Sequence, residues 1–359
     1  MRAVYATVEK MMRASDVKAS AYAGPELLAA IESASEDVDA LVKLGDSQRP
    51  AFAPWVGTIV FDWPFANNTD SYRFWLNQFR LTSITSVISG GVDITASALG
   101  WPASAPVYSA LDIDTEGSDS LEIGSGTGQR SLSITGTWGT PGRDDSRSAW
   151  TLGGAVNASA TTWTINAPIG VGSLVLAGTE RVIVLERAWA DSGQTAAALT
   201  ANLADAIVSV QTGSAFLAGE EITIDGEIML VRDVIGNTLA VQRAASGSTL
   251  AAHGAASAVY WKRSCTVERG ALGTSAASQS SGAVLSIYRP PALVEQLTIA
   301  YALDRRAQEN VGYARDLSHI QDRRGLSAKA VGRGVDAIGI GALQQRVIDA
   351  YGRIRHRAI

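Results

Sequence analysis

The feature that most limits what this chain can become is a phrase it writes twice. Setting "AVQRAASGSTLAAH" from Ala240 against "TVERGALGTSAASQ" from Thr266, an offset of 26 residues, places Val241 on Val267, Arg243 on Arg269, Gly247 on Gly273, Ser248 on Thr274, Ala251 on Ala277 and His253 on Gln279. A fainter copy begins at Gly172, where "GSLVLAGTERVIVLER" matches "GEEITIDGEIMLVRDV" with Glu180 against Glu227. Small and apolar residues dominate both copies, so the repeat answers to a structural need.

That need is legible in the alternation. "EITIDGEIMLVRDVIGNTLAVQR" sets apolar beside polar residues with period two and breaks at Asp225-Gly226 and Gly236-Asn237, which predicts a three-stranded antiparallel meander with one buried face. A lone meander of this size has too little core, so the copies are expected to pack on one another. Arg243 and Arg269 end their strands just ahead of glycine-containing loops.

At 359 residues the chain has room for two or three domains. It is 46% apolar and only 18% charged, below the roughly 25% usual for soluble domains, a balance that predicts apolar surface covered by neighbouring subunits. One cysteine, Cys265, excludes an internal disulfide and a cysteine-based zinc site. No segment approaches the run of about eighteen apolar residues that a membrane span needs, and "MRAVYATVEKMMRASD" lacks the apolar stretch of a secretory leader. The expectation is a protein made and kept in water, with no membrane partner. Its net charge of −5 is uneven: residues 301–359 hold eleven Lys and Arg against six Asp and Glu, the first 300 nineteen against twenty-nine. A basic end of this kind suits nucleic acid or an acidic protein surface.

The two ends read as helix. Thr7 caps a short one, and Pro25 opens a longer one whose Leu27, Leu28, Ile31, Ala34, Val38, Leu41 and Val42 keep helical spacing up to Gly45. After Pro290-Pro291, Leu293, Leu297, Ala300 and Tyr301 share a face, as do Leu343, Val347, Ala350, Tyr351 and Ile354 further on. The charged, glycine-rich stretch that starts at Asp316 reads as a loop or ordered arm. Between the helical ends, "GTIVFDWP", "LTSITSVISGGVDIT", "PVYSALDIDTEGSDSLEIG" and "RSLSITGTWG" predict antiparallel strands with a hairpin at Gly90-Gly91. The chain is expected to be α+β in four parts: helices over 1–56, a β segment over 57–139, the duplicated β-units over 140–289 as a small barrel or sandwich, and helices over 290–359.

Chemistry finds little purchase. "DIDTEGSDSLEI" has Asp112, Asp114 and Glu116 at calcium-loop positions, but its twelfth residue is Ile123 and its flanks are strands, so it reads as an acidic strand edge. "GSGTGQR" lacks the Lys-Ser/Thr of a phosphate loop, and "GRGVDA" has no strand before it, so both read as turns. His253, His319 and His356 have no carboxylate or serine partner suggested by spacing. Asp144 and Asp145 read as solvated neighbours in a turn between domains. The expectation is a non-enzyme with no metal and no cofactor.

With the repeat region set aside, what remains is a helix pair, a β segment closing on "ITGTWG", the helix "PPALVEQLTIAYALDRRAQENVGYAR" and a C-terminal "VIDAYGRIRHRAI". This order resembles the head-tail connector, or adaptor, proteins of tailed bacteriophages. "FDWP" followed by "YRFWL", and the repeated phrase itself, look like the β-modules embedded in neck proteins of phages that infect actinobacteria and their relatives. The resemblance implies a structural virion protein, assembled in the host cytoplasm and placed in the virion neck. It implies a helical connector core made by both ends of the chain and a homo-oligomeric ring, commonly of twelve. The partners it implies are the portal protein, a tail-side stopper or tail terminator, and packaged DNA passing non-specifically through the channel during genome ejection. On this view Arg353, Arg355, His356 and Arg357 meet the portal or the DNA phosphates. Arg305, Arg306 and Tyr351 are candidate subunit contacts, and the β-insertion projects outward or toward the tail. The alternative is another phage structural protein, such as a tail, baseplate or receptor-binding fibre component.

Overall fold

The computed structural model describes residues 3–15, 24–42, 49–62, 72–104, 107–113, 129–139, 142–321 and 339–352, with backbone alone at 15, 24 and 72 and over 307–321. Strand outweighs helix, 43% to 23%, and the described residues form seventeen strands but only four helices. This overturns the expectation of an α+β protein built on a helical connector core. The reason lies in the pattern: period-two alternation runs through most of the chain between Trp55 and Arg289, and the ends supply too little helix to make a core by themselves.

The four helices are α1 (Val8–Ser15), α2 (Gly24–Val42), α3 (Ala292–Gln321) and α4 (Ile340–Tyr351). Thr7 accepts the Lys10 N–H at 3.4 Å and caps α1. Along α2, Leu27, Leu28, Ile31, Ala34, Val38 and Val42 are all buried, one stripe at helical spacing. α3 runs on through Asp316 to Gln321, where the sequence suggested a loop, so at least that part of the arm is helix. The helices share one core with an antiparallel sheet in the order β1 (Trp55–Phe61), β7 (Leu132–Trp138), β3 (Leu81–Ser89), β4 (Val92–Asp93), and Gly90-Gly91 make its hairpin turn. Trp55 stacks on its register partner Trp138 at 5.7 Å. A smaller sheet of β2 (Tyr72–Trp75), β6 (Ala110–Ile113) and β5 (Ala98–Trp101) buries Phe74, Leu111 and Ile113 in the same core, while Asp112 pairs with Arg73 across its outer face.

The repeat region is two closed barrels. In the one nearer the helices, β8 (Arg143–Leu152), β9 (Thr162–Asn166), β16 (Ser257–Glu268), β11 (Glu180–Ala196), β10 (Leu174–Ala177) and β17 (Val284–Arg289) pair in a ring that returns to β8. In the other, the far ends of β11 and β16 are joined by β13 (Glu221–Ile224), β14 (Glu227–Ile235), β15 (Thr238–Gln242) and β12 (Ile207–Ser209). A bridge between Ala196 and Val210 closes that ring. Each has its own core, Trp163, Val184 and Ile287 among others in the proximal barrel, Val208, Met229 and Val259 in the distal one. The copies therefore do not stack meander on meander, as the sequence suggested. Each meander buries its face by closing a ring, and the rings share two long strands.

Register shows how the copies are related. Val184 faces Val267 in the proximal barrel where Val231 faces Val241 in the distal one, and each hairpin carries a β-bulge at the next step. Gly172 and Gly219, both with φ near +90°, donate to Val184 O and Val231 O at 2.7 and 2.8 Å. The distal turn Gly236-Asn237 joins Ile235 to Thr238, whose proximal counterparts are Ala188 and Ser264. Residues 189–263 stand where the proximal hairpin would otherwise have its turn. The distal barrel is an insertion within its own twin.

Asp144 and Asp145 lie in β8, not in a turn, and Arg181 grips Asp144 through both terminal nitrogens at 3.0 and 2.8 Å. The proximal barrel seats on the body through Leu272, a left-handed residue (φ 55°) that is 4% exposed within the core shared by helices and sheets. Glu9 of α1 completes the joint by accepting Arg187 of β11 at 3.1 Å and the Val171 N–H at 2.9 Å.

Candidate functional site

The duplicated glutamate and arginine meet. In the distal barrel Glu227 opens β14 directly after the Asp225-Gly226 turn, and Arg243 follows the last residue of β15, so closing the ring brings them side by side. Arg243 Nε and Nη2 donate to the two Glu227 oxygens at 2.7 and 2.8 Å. Nη1 reaches the carbonyls of Thr200 and Asp205 at 3.2 and 2.9 Å, and Nη2 also reaches that of Ala251 at 2.6 Å. All five N–H donors of the guanidinium are used. Glu227 accepts in addition the N–H groups of Ala244 and Ala251, both at 3.0 Å, and both side chains are fully buried. The result is a clamp that pins the loop following the strand, in which Ala244 and Ser246 hold left-handed conformations unfavourable for residues other than glycine.

The proximal barrel repeats this atom for atom. Arg269 donates to Glu180 through Nε and Nη2 at 2.7 and 2.8 Å, to the carbonyls of Asn157 and Ala160 through Nη1, and to that of Ala277 through Nη2. Gly270 and Ala277 donate their N–H groups to Glu180 at 3.0 and 2.9 Å. Trp163 adds a ring face 4.9 Å from the Arg269 guanidinium.

The copies differ where His253 stands. Its ring bridges Asp225 (3.0 Å) and Glu227 (2.9 Å), so the absence of a carboxylate partner expected from spacing is corrected: both partners come from the neighbouring hairpin. In the proximal barrel Gln279 occupies that place, donates to the Ala177 carbonyl at 3.2 Å, and faces Gly178 where the distal barrel has Asp225. Burial works against the Glu227 charge, but the Arg243 guanidinium, the Ala251 and Ala244 amides and His253 outweigh it and hold the carboxyl at about 2. The same balance, through Arg269 and the Ala277 and Gly270 amides, holds Glu180 below the usual carboxylate range. A carboxylate this saturated has no lone pair free to take a proton, and its arginine none to give. The clamps staple loops.

A third buried pair joins the distal turn at Glu220 to Arg263, which also donates to Asn166 of β9 at 3.3 Å. Glu220 accepts Arg263 at 2.9 and 2.8 Å, and that guanidinium lies 3.8 Å from the Trp261 ring centre. At Glu220's place the proximal barrel has Ser173, which caps the same turn by accepting the Gly170 N–H at 3.0 Å.

Outer surfaces separate the barrels further. Leu203, Ile207 and Ile235 of the distal barrel are 63%, 54% and 66% exposed. Ile207 and Ile235 correspond in register to Thr162 and Ala188, and Leu203 sits in a loop two residues longer than its counterpart.

Of the residues singled out from sequence, Arg305 bonds Ser33 and, at 2.6 Å, Asp37; Arg306 reaches Glu26 at 3.3 Å; and the Tyr351 ring lies edge-on to Phe52 at 5.4 Å. All three tie α3 and α4 to other parts of the same chain. Arg353, Arg355, His356 and Arg357 lie outside the described residues, as do Glu116, Ile123 and "GRGVDA". Among the described residues no helix is long and apolar enough to cross a membrane. No family model matches the chain, and neither the curated proteins nor the solved structures compared with it give a match.

Proposed function

We propose that the chain is a structural subunit of a tailed-phage neck, a head-tail connector that assembles as a ring between portal and tail and docks other virion proteins through its barrels. The observation that carries this reading is the contrast between the twins. Their buried charges serve as staples in both, yet the distal barrel turns three large aliphatic side chains, Leu203, Ile207 and Ile235, more than half to solvent, where the described residues of the proximal barrel expose one, Val284. An apolar set concentrated on the outer unit of a stapled extension suits a docking face for a tail-side partner. The basic end of the chain suits the portal or passing DNA. The prevalence of strand favours a second reading, a tail, baseplate or fibre component.

Native mass spectrometry across a concentration series, with negative-stain images of each species, separates the two. Rings with a central channel, alone or with portal protein, support the connector. A stable elongated trimer overturns it in favour of the fibre.

A further inference from the structure

β1 is an edge strand, and hydrogen-bond phase shows which of its backbone groups face away from the sheet. The Gly139 N–H donates to the Arg80 carbonyl at 2.8 Å beside the register pair Leu81 and Trp138, so Trp138 turns its own N–H and carbonyl the other way, toward Trp55. Alternation along β1 then gives Trp55, Gly57, Ile59 and Phe61 to β7 and points the N–H and carbonyl groups of Val56, Thr58 and Val60 outward. Among the described residues no strand lies beyond β1, and no backbone hydrogen bond reaches those outward groups.

Sheet proteins ordinarily guard such an edge with a lysine, a proline or a bulge, or keep it short. The opposite edge, β4, is two residues long; in the smaller sheet β2 carries Arg73 and β5 runs into Pro102. β1 has seven residues, none charged and none proline, and pairs with β7 in unbroken register, the bulges of this sheet lying on β3. β7 and β3 carry no charge either. Val56, Thr58 and Val60 are exposed on the outer face, where the Thr58 hydroxyl shares a 2.7 Å hydrogen bond with that of Thr135.

The strand that fits this edge is β1 itself. Set antiparallel to its own copy about Thr58, it matches along its length: Val56 meets Val60, Thr58 meets Thr58, Trp55 meets Phe61, and Gly57 leaves room for Ile59. We propose that β1 pairs in this way with β1 of a second copy, joining the two sheets into one across a two-fold axis at Thr58. Thr58 exchanges both backbone hydrogen bonds with its mate, and Val56 and Val60 do so in each direction, so every outward group finds a partner. On the outer face the threonine pair lies between two valine pairs, cross-strand neighbours that favour one another. The contact is isologous, distinct from the head-to-tail contact that closes a ring, and the inference is independent of the neck reading.

Sedimentation velocity and amide exchange on the full chain, over one concentration series, test the pairing. The expected result is a monomer that gives way to a dimer, with the Val56, Thr58 and Val60 amides gaining at least about tenfold in protection while Gly57 and Ile59, already bonded to β7, change little. Thr58→Lys sets two like charges face to face and should leave a monomer, as should Thr58→Glu. An equimolar mixture of the two variants should dimerise again, because a residue on the two-fold axis meets its own counterpart. A wild-type chain that stays monomeric, or protection at the three amides that does not change with concentration, overturns the pairing even if neither variant folds. So does a dimer that Thr58→Lys leaves intact, or a mixture that stays monomeric. Rings that form without added protection at these amides overturn the pairing and leave the neck reading standing.

Discussion

Replacing Glu227 by glutamine is the sharpest probe of the clamp. The side chain keeps its size but loses its charge, leaving the fully buried Arg243 with a neutral carbonyl and an amide NH₂ where two anionic oxygens stood. The Ala244 and Ala251 N–H groups lose a charged acceptor, and one of the His253 contacts goes with it. Breaking a buried pair from one side costs about 3–5 kcal/mol, a large part of the 5–15 kcal/mol that typically holds a domain. Local opening of the distal barrel should then be on the order of a hundred- to a few-thousand-fold more frequent. Native-state hydrogen exchange reads this directly at Ala244, Ala251 and Val241, whose N–H bonds the Ala206 carbonyl. The proximal clamp is the internal control: Gly270 and Ala277 should keep their protection. A loss below about 1 kcal/mol, or an equal loss in both barrels, refutes the reasoning. Arg243→Lys should cost nearly as much, because three donors cannot replace a five-donor fork.

Replacing residues 189–263 with Gly-Asn, the turn the distal copy uses, should leave a folded proximal barrel with protected Gly270 and Ala277; a chain without those protected amides would mean that the twins fold only together. Glu227 is depressed below its unfolded value, so its contribution is complete above about pH 4.5 and lost as the pH falls toward about 2; circular dichroism over that interval should show acid loss of barrel structure, which Glu227→Gln makes shallower. Ile207→Thr with Ile235→Ala, copying the proximal residues, should change stability by less than about 0.5 kcal/mol yet weaken capture of tail-side neck protein at least tenfold in a pull-down titration.

Much of this fold was legible because its signals are local. The alternation in "EITIDGEIMLVRDVIGNTLAVQR", the turn at Gly90-Gly91 and the apolar stripe from Leu27 to Val42 depend on neighbours in sequence. The nesting depends on distant ones: Glu180 and Arg269 are 89 residues apart, and nothing near either says that they touch. A signal did exist, since Glu and Arg recur at matching places in two phrases otherwise poor in charge, and charges kept in buried repeats have to be paired. His253 escaped for the same reason, its carboxylates lying 26 and 28 residues upstream on a hairpin. The balance of helix and strand was misjudged because the conspicuous helical patterns sit at the ends, while the many strands between them are short.

β11 and β16 cross from one barrel into the other without a break, 17 and 12 residues long. Ordinary tandem domains are joined by a linker that bends before anything else does. Here the connection is a ladder of paired strands, so a sideways push on the distal barrel must shear several hydrogen bonds at once before it can tilt. The ladder gives only where register slips, near Glu186, Ala190 and Gln194. At its base Arg187 leads into Glu9. A load applied at the tip is therefore delivered to α1 as leverage, and the pair of barrels behaves as a strut.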